Sequence, residues 1–186
     1  MALTYSEAGM VGTKAQIFEL RATDGRNHAL ADFASSKAVV VIFMCNHCPY
    51  VIAVQERINA LAREYQGKGV PVLAINSNDS VRYPDDSFEA MGKRAREQGF
   101  VFPYLHDEDQ AVARAYGAVC TPEFYLLQPG AGAEFTIRYH GRMDDNWKEP
   151  EKVRTRDLAQ AIDAVLAGKP VVQEQLPSMG CSIKWK

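Results

Sequence analysis

The sequence predicts an α/β fold, a central mixed β-sheet flanked by helices, and three observations carry that prediction. Val39-Val-Val-Ile-Phe-Met44 is continuous, apolar and rich in β-branched residues, as a strand covered on both faces must be. Apolar residues then recur at Val54, Ile58, Leu61 and Tyr65, the stripe of an amphipathic helix closed by Gly67 and Gly69. Val70-Pro-Val-Leu-Ala-Ile75 follows as a second buried strand, so the three segments form a right-handed βαβ unit with parallel strands.

The remaining elements follow in order. Gln16-Ile-Phe-Glu-Leu20 alternates in polarity and Asp24-Gly25 is a turn signal, which predicts an N-terminal hairpin over about 16–33. After the βαβ unit come a helix from Ser87 to Gln98, with Phe88, Met91 and Ala95 inward, and a short strand over Phe102–Leu105. A helix over Asp109–Tyr116 is ended by Gly117. Phe124–Leu127 and Phe135–Tyr139 read as hairpin partners across the turn Gln128–Gly132. The last helix, Val153 to Ala167, turns Leu158, Ile162 and Val165 inward and stops at Gly168 and Pro170. Residues 1–168 are thus one domain, and 169–186 form a tail without helix or strand periodicity.

Composition narrows the function. Lys and Arg number 21 against 23 Asp and Glu, a net charge of −2 that gives no reason to expect nucleic acid or an anionic membrane as partner. Between Met1 and Leu20 the only positive charge is Lys14, with no apolar run suited to a signal peptide, and no window reaches the ~18–20 apolar residues of a membrane span. The expectation is a cytoplasmic protein. In a reducing compartment, paired cysteines are more often redox-active or metal-binding than structural.

The cysteines are Cys45, Cys48, Cys120 and Cys181, and the first two form Cys45-Asn46-His47-Cys48-Pro49 at the junction of strand and helix. Unpaired N–H groups and the positive dipole end at a helix N-terminus stabilise a thiolate and bring its pKa from ~8.5 into the range ~3.5–7.5. Two intervening residues let the sulfurs meet in one tight turn. Cys45 is then expected to attack a disulfide and Cys48 to resolve the mixed disulfide. Pro49, tolerated only in the first turn, starts the helix near Cys48 and leaves Cys45 as the more exposed sulfur. An imidazolium at His47 would further favour the thiolate. Zinc would need four ligands, with Cys120 and Cys181 converging on the pair.

The order strand, C-x-x-C, helix, strand, then Thr121-Pro122 before another strand resembles the thioredoxin-like superfamily. That resemblance implies a cis Pro122 facing the cysteine pair and shaping a substrate groove, with Thr121 offering backbone groups to a bound chain. Phe18-Glu-Leu20, Asp24-Gly25, Leu30-Ala-Asp-Phe33 and Cys48-Pro49 resemble the peroxiredoxin branch, over nearly all of Ala15–Ala167. The nearest group is that of peroxiredoxin-like, AhpC/TSA-related proteins carrying a thioredoxin-style C-x-x-C. The chain departs from both patterns. With Cys48 set on the peroxidatic cysteine, Cys45 replaces its threonine, Val41 its proline, and Thr121 stands near its arginine. On the thioredoxin side, Met44 replaces the tryptophan and Val39 the buried aspartate, which leaves Glu123 as a substitute proton acceptor.

The expected activity is thiol-disulfide exchange on a disulfide-bearing protein or small thiol, with no cofactor. The rivals are a thiol peroxidase, in which Cys48 becomes a sulfenic acid that Cys45 resolves, and a copper- or zinc-binding protein using His140 or His106 as distal imidazole. In the tail, Met179, Ile183 and Trp185 favour docking over the domain. That would bring Cys181 towards Cys120, as a second redox pair, or towards the C-x-x-C.

Overall fold

The computed structural model describes residues 3–7 and 9–186. The first half runs through strands β1 (Leu3–Tyr5), β2 (Glu19–Ala22), β3 (Asn27–Ala29) and β4 (Val39–Phe43), helix α1 (Pro49–Gln66) and strand β5 (Val72–Asn76). The second half comprises α2 (Phe88–Glu97), β6 (Tyr104–His106), α3 (Ala111–Tyr116), β7 (Cys120–Thr121), β8 (Glu123–Pro129), β9 (Phe135–Gly141), α4 (Asp157–Leu166) and β10 (Met179–Ser182).

Seven strands form a mixed sheet in the order β3-β2-β6-β5-β4-β8-β9. β4 and β5 are parallel, as are β5 and β6, while β8 lies antiparallel on the other side of β4. Every residue of β4 is buried because both faces of the sheet are covered. Its side chains alternate: Val40, Ile42 and Met44 join the core under α1, α2 and α4, whereas Val39, Val41 and Phe43 join the core under α3 and the N-terminal segment. The helical stripe Val54, Ile58, Leu61 and Tyr65 is buried against the first of these cores. Each such side chain contributes about 1.5–3 kcal/mol by leaving water. That packing fixes α1, and with it the cysteine turn, on the C-terminal end of β4.

Several boundaries differ from expectation for identifiable reasons. α4 starts at Asp157 rather than Val153, because the Asp145 N–H donates to the Thr155 carbonyl at 3.2 Å and Asp145 Oδ1 accepts from the Arg154 N–H at 2.9 Å. Those loop bonds compete with the first helical turn. β6 starts at Tyr104, just after Pro103, which has no N–H to give a ladder. The hairpin strands β2 and β3 are only four and three residues long and pair Leu20 with His28.

The larger correction concerns the tail. Residues 179–182 are a strand, and β10 lies between β1 and β7 in a second, three-stranded sheet. Four residues are too few to show a period of two, and β1 supplies a partner from the opposite end of the chain.

Candidate active site

β4 delivers the chain to Cys45, and Pro49, lacking an N–H, opens α1 with Cys48 as its N-cap. Both cysteines are buried, Cys45 1% exposed and Cys48 0%, so the expected exposure of Cys45 shrinks to almost nothing. They face β7. Cys45 Sγ lies 3.4 Å from Thr121 Oγ1, and Cys48 Sγ lies 3.1 Å from the Thr121 carbonyl oxygen. The Thr121–Pro122 bond is cis. All four cysteines are thiols in this structure.

The two sulfurs share one proton unequally. The Cys45 thiol hydrogen-bonds to Cys48, and with the Cys181 thiol and the N–H groups of Val51 and Cys181 it holds Cys48 down to about 5 against the opposing effect of burial. The Thr121 carbonyl contact favours the protonated form and works against that fall. Cys45 is pushed up by the same shared proton, then by burial and the charge of Asp86. The acidic thiol is therefore Cys48, the reverse of the expectation that Cys45 attacks and Cys48 resolves.

Asp86 is the residue that reading the sequence missed. It is fully buried and accepts the Asn46 N–H at 2.7 Å and the Asn78 and Asn76 side-chain amides at 2.8 and 3.3 Å. Its Oδ2, which takes the Asn78 amide, also meets His47 Nδ1 at 2.8 Å, an ionic contact bent away from ideal hydrogen-bond geometry. The contact with Asp86 raises the His47 pKa. Asn46 completes the turn by donating from its side chain to the Asp85 carbonyl at 2.7 Å and accepting from the Tyr104 hydroxyl at 3.0 Å. Nothing local marks Asp86 off from exposed Asp85 beside it. Only the folded loop turns one inward and the other out.

Glu123, expected to serve the cysteine pair, serves Cys120 instead. Its carboxylate accepts the N–H groups of Val119 and Cys120 at 2.9 and 3.0 Å and the Tyr125 hydroxyl at 2.8 Å, and contacts His140 Nε2 at 2.7 Å. It is fully buried and pins the turn that leads into Thr121–Pro122. His140 is thereby engaged, and His106 packs against Phe88, so neither faces the C-x-x-C as a distal imidazole. The imidazole that does approach is His47: Cys45, His47 and Asp86 offer donor atoms within 4.8 Å of one another. The oxygens of Asp86 are already taken by its own hydrogen bonds.

Cys120 and Cys181 do not form a pair. The β10–β7 register sets Cys181 opposite Thr121 and Ser182 opposite Cys120, so the two thiols point to opposite faces of the small sheet. Cys181 instead hydrogen-bonds Cys48 through both its thiol and its backbone N–H.

The arrangement offers an acidic buried thiol, a second thiol in contact with it and a third across a strand edge, which suits thiol–disulfide chemistry. Comparisons with known proteins agree. The sequence profile of the AhpC/TSA family matches residues 11–140. The chain is 31% identical over 124 residues to the thiol-disulfide oxidoreductase ResA of Geobacillus thermodenitrificans, covering 67% of each chain. It is 32% identical over 111 residues to the peroxiredoxin Bcp of Xanthomonas campestris pv. campestris, covering 58% of this chain and 62% of that one. Among solved structures, an uncharacterized conserved protein of Geobacillus kaustophilus superposes with a TM-score of 0.92 at 43% identity, over 100% of this chain and 97% of the other.

Proposed function

The chain belongs to the AhpC/TSA family, an oxidoreductase by that membership, and from that premise we propose that it is a thiol-disulfide oxidoreductase acting through Cys45 and Cys48. The observation that carries this reading is the contact of the two thiols at the N-terminus of α1, facing Thr121 and Pro122. Cys48 thiolate attacks one sulfur of a substrate disulfide, forming a mixed disulfide and releasing the first substrate thiolate, which takes up a proton. Cys45 then attacks Cys48, its proton passing to the adjacent His47–Asp86 pair. The Cys45–Cys48 disulfide forms and the second substrate thiol leaves. Two electrons pass from the protein to the substrate, and an external dithiol restores the reduced state. Asn46 holds the turn, and Glu123 holds the approach to Thr121.

The working unit is the domain of residues 1–168 together with the tail 169–186. The substrate class is a disulfide-bearing protein or small thiol, and the compartment is the cytoplasm. Among the described residues no helix is long and apolar enough to cross a membrane.

One observation favours a second reading. The acidic sulfur, Cys48, is the one followed by proline, as at a peroxidatic site, which supports a modest thiol peroxidase with Cys48 attacking a hydroperoxide oxygen and Cys45 resolving the sulfenic acid with loss of water. It ranks second because Cys45, Val41 and Thr121 stand where that chemistry keeps a threonine, a proline and an arginine.

The test is insulin-disulfide reduction with a dithiol donor, alongside hydroperoxide consumption, for wild type, Cys48→Ser and Cys45→Ser. The disulfide reading expects Cys48→Ser to abolish reduction and Cys45→Ser to impair it while substrate oxidation still lands on Cys48. Undiminished reduction by Cys48→Ser refutes it. Rapid peroxide consumption without insulin reduction establishes the second reading in its place.

A further inference from the structure

Strand β10 occupies, from within the chain, the edge that a substrate strand would need. It runs antiparallel to β7 with Cys181 opposite Thr121. The approach is closer than any side chain at position 180 allows: a Cβ on Gly180 would stand 1.9 Å from the Thr121 carbonyl oxygen and 2.5 Å from its carbon. Bonds on both sides tie the strand down. Ser178 donates its N–H to Ser6 Oγ at 2.8 Å and accepts the Ser6 N–H at 2.9 Å, while β1 pairs along its outer edge. Downstream, Ile183 donates to the Val119 carbonyl at 2.9 Å, and the Lys184 carbonyl takes the Gln110 side-chain amide and the Asp79 N–H at 2.8 Å each. In this closed state Cys48 has no exposed surface, and the sulfur that reaches it from outside the C-x-x-C is Cys181, itself 2% exposed.

We propose that Cys181 is a third redox residue, carried on a built-in substrate strand that exchanges with the Cys45–Cys48 disulfide. This rests on the thiol-disulfide reading and deepens it. In the step, Cys181 gives up its proton and its sulfur attacks Cys48 Sγ. The Cys48–Cys181 bond forms, the Cys45–Cys48 bond breaks, and the electron pair leaves on Cys45, which takes up a proton. No electrons are gained or lost overall. The oxidised equivalent moves from the enclosed turn to the tail strand, which becomes tethered to the start of α1. The electrostatics couple the step to oxidation of Cys48. Burial and the neighbouring Cys48 thiolate push Cys181 up to about 12 in the reduced protein. The second of these causes disappears once Cys48 is in a disulfide, so Cys181 becomes a better nucleophile only when there is a disulfide to attack.

The experiment equilibrates full-length wild type, Cys45→Ser and Cys45→Ser/Gly180→Ala with glutathione disulfide, blocks remaining thiols with an alkylating agent, and maps the bridges by peptide mass. Folding of each variant is checked by circular dichroism. Wild type is expected to form Cys45–Cys48. In Cys45→Ser, a thiol held in contact outcompetes free glutathione, so the Cys48–Cys181 bridge should exceed the Cys48–glutathione adduct by about tenfold or more. Adding Gly180→Ala, which displaces β10 without touching a sulfur, should reverse that ratio. A Cys45→Ser protein carrying glutathione on Cys48 with Cys181 alkylated overturns the exchange while leaving the Cys45–Cys48 reading intact. A bridge that survives Gly180→Ala unchanged overturns the built-in strand. A wild type that forms neither a Cys45–Cys48 nor a Cys48–Cys181 disulfide removes the thiol-disulfide reading and the exchange with it.

Discussion

Replacing Cys45 by alanine isolates the interaction that makes Cys48 acidic. The largest influence holding Cys48 down to about 5 is the hydrogen bond from the Cys45 thiol, and the remaining donors, Cys181 and the Val51 N–H, survive the substitution. A hydrogen bond to a charged group is worth about 1.5–3 kcal/mol, which at about 1.4 kcal/mol per pKa unit moves Cys48 up to roughly 6–7. At pH 6 a thiol that is about nine-tenths ionised then falls to between about one-tenth and one-half. The assay is the ultraviolet absorbance of the thiolate, followed as pH is raised in the reduced protein. The signal is clean because the other three thiols are silent in the range: Cys45 and Cys120 are pushed up and Cys181 lies near 12. Wild type should show one thiolate step near pH 5, Cys45→Ala one step shifted up, and Cys45→Ser, which keeps a donor, a step between them. An unshifted step in Cys45→Ala refutes the shared-proton account. So does loss of the step in Cys45→Ser with retention in Cys48→Ser, which would make Cys45 the acidic thiol.

The other charged groups lead to three further expectations. Glu123→Ala strips a fully buried acceptor from two backbone N–H groups, a tyrosine hydroxyl and His140, and should cost about 3–5 kcal/mol in urea unfolding; a loss under about 1 kcal/mol contradicts its role in holding the turn. Asp86 and Glu123 both have pKa values below the carboxylate range, where burial is outweighed by hydrogen bonds from His47 and Asn78 in one case and from His140 and the turn N–H groups in the other. Their contribution is present above the unfolded value of about 4 and is lost as pH falls through the depressed folded values, so Glu123→Gln should flatten the acid limb of the stability curve. For His47 the sign is opposite. Asp86 raises its pKa, so its contribution is full below about 6.5 and fades as pH rises through the folded value, and His47→Gln should remove that decline above about pH 6.5.

Much of the sheet was legible in the sequence because its signals are local and redundant. The apolar run at Val39–Met44 and the stripe Val54, Ile58, Leu61 and Tyr65 each demand burial whatever lies around them, and both reappear in the core. The C-x-x-C was legible for the same reason, since spacing, Pro49 and a strand-to-helix junction all lie within a few residues. Asp86 was not legible. It sits 41 positions beyond Cys45, in a loop whose inward turn depends on Asn46, Asn76 and Asn78. Glu123 looked like a partner of the cysteine pair because it follows Pro122, but the backbone at that turn directs its carboxylate to Val119 and Cys120.

By itself the sequence determined an α/β sheet with a dithiol set at a helix N-terminus, since burial periodicity and the spacing of two cysteines are properties of adjacent residues. Tertiary structure alone decided which thiol ionises, which carboxylate stands beside its partner and that the docked tail pairs as a strand. Those outcomes depend on groups brought together from distant positions: Cys45 with Asp86, Cys48 with Cys181, and Gly180 against the Thr121 carbonyl. Ionisation and strand pairing respond to distance and burial in space.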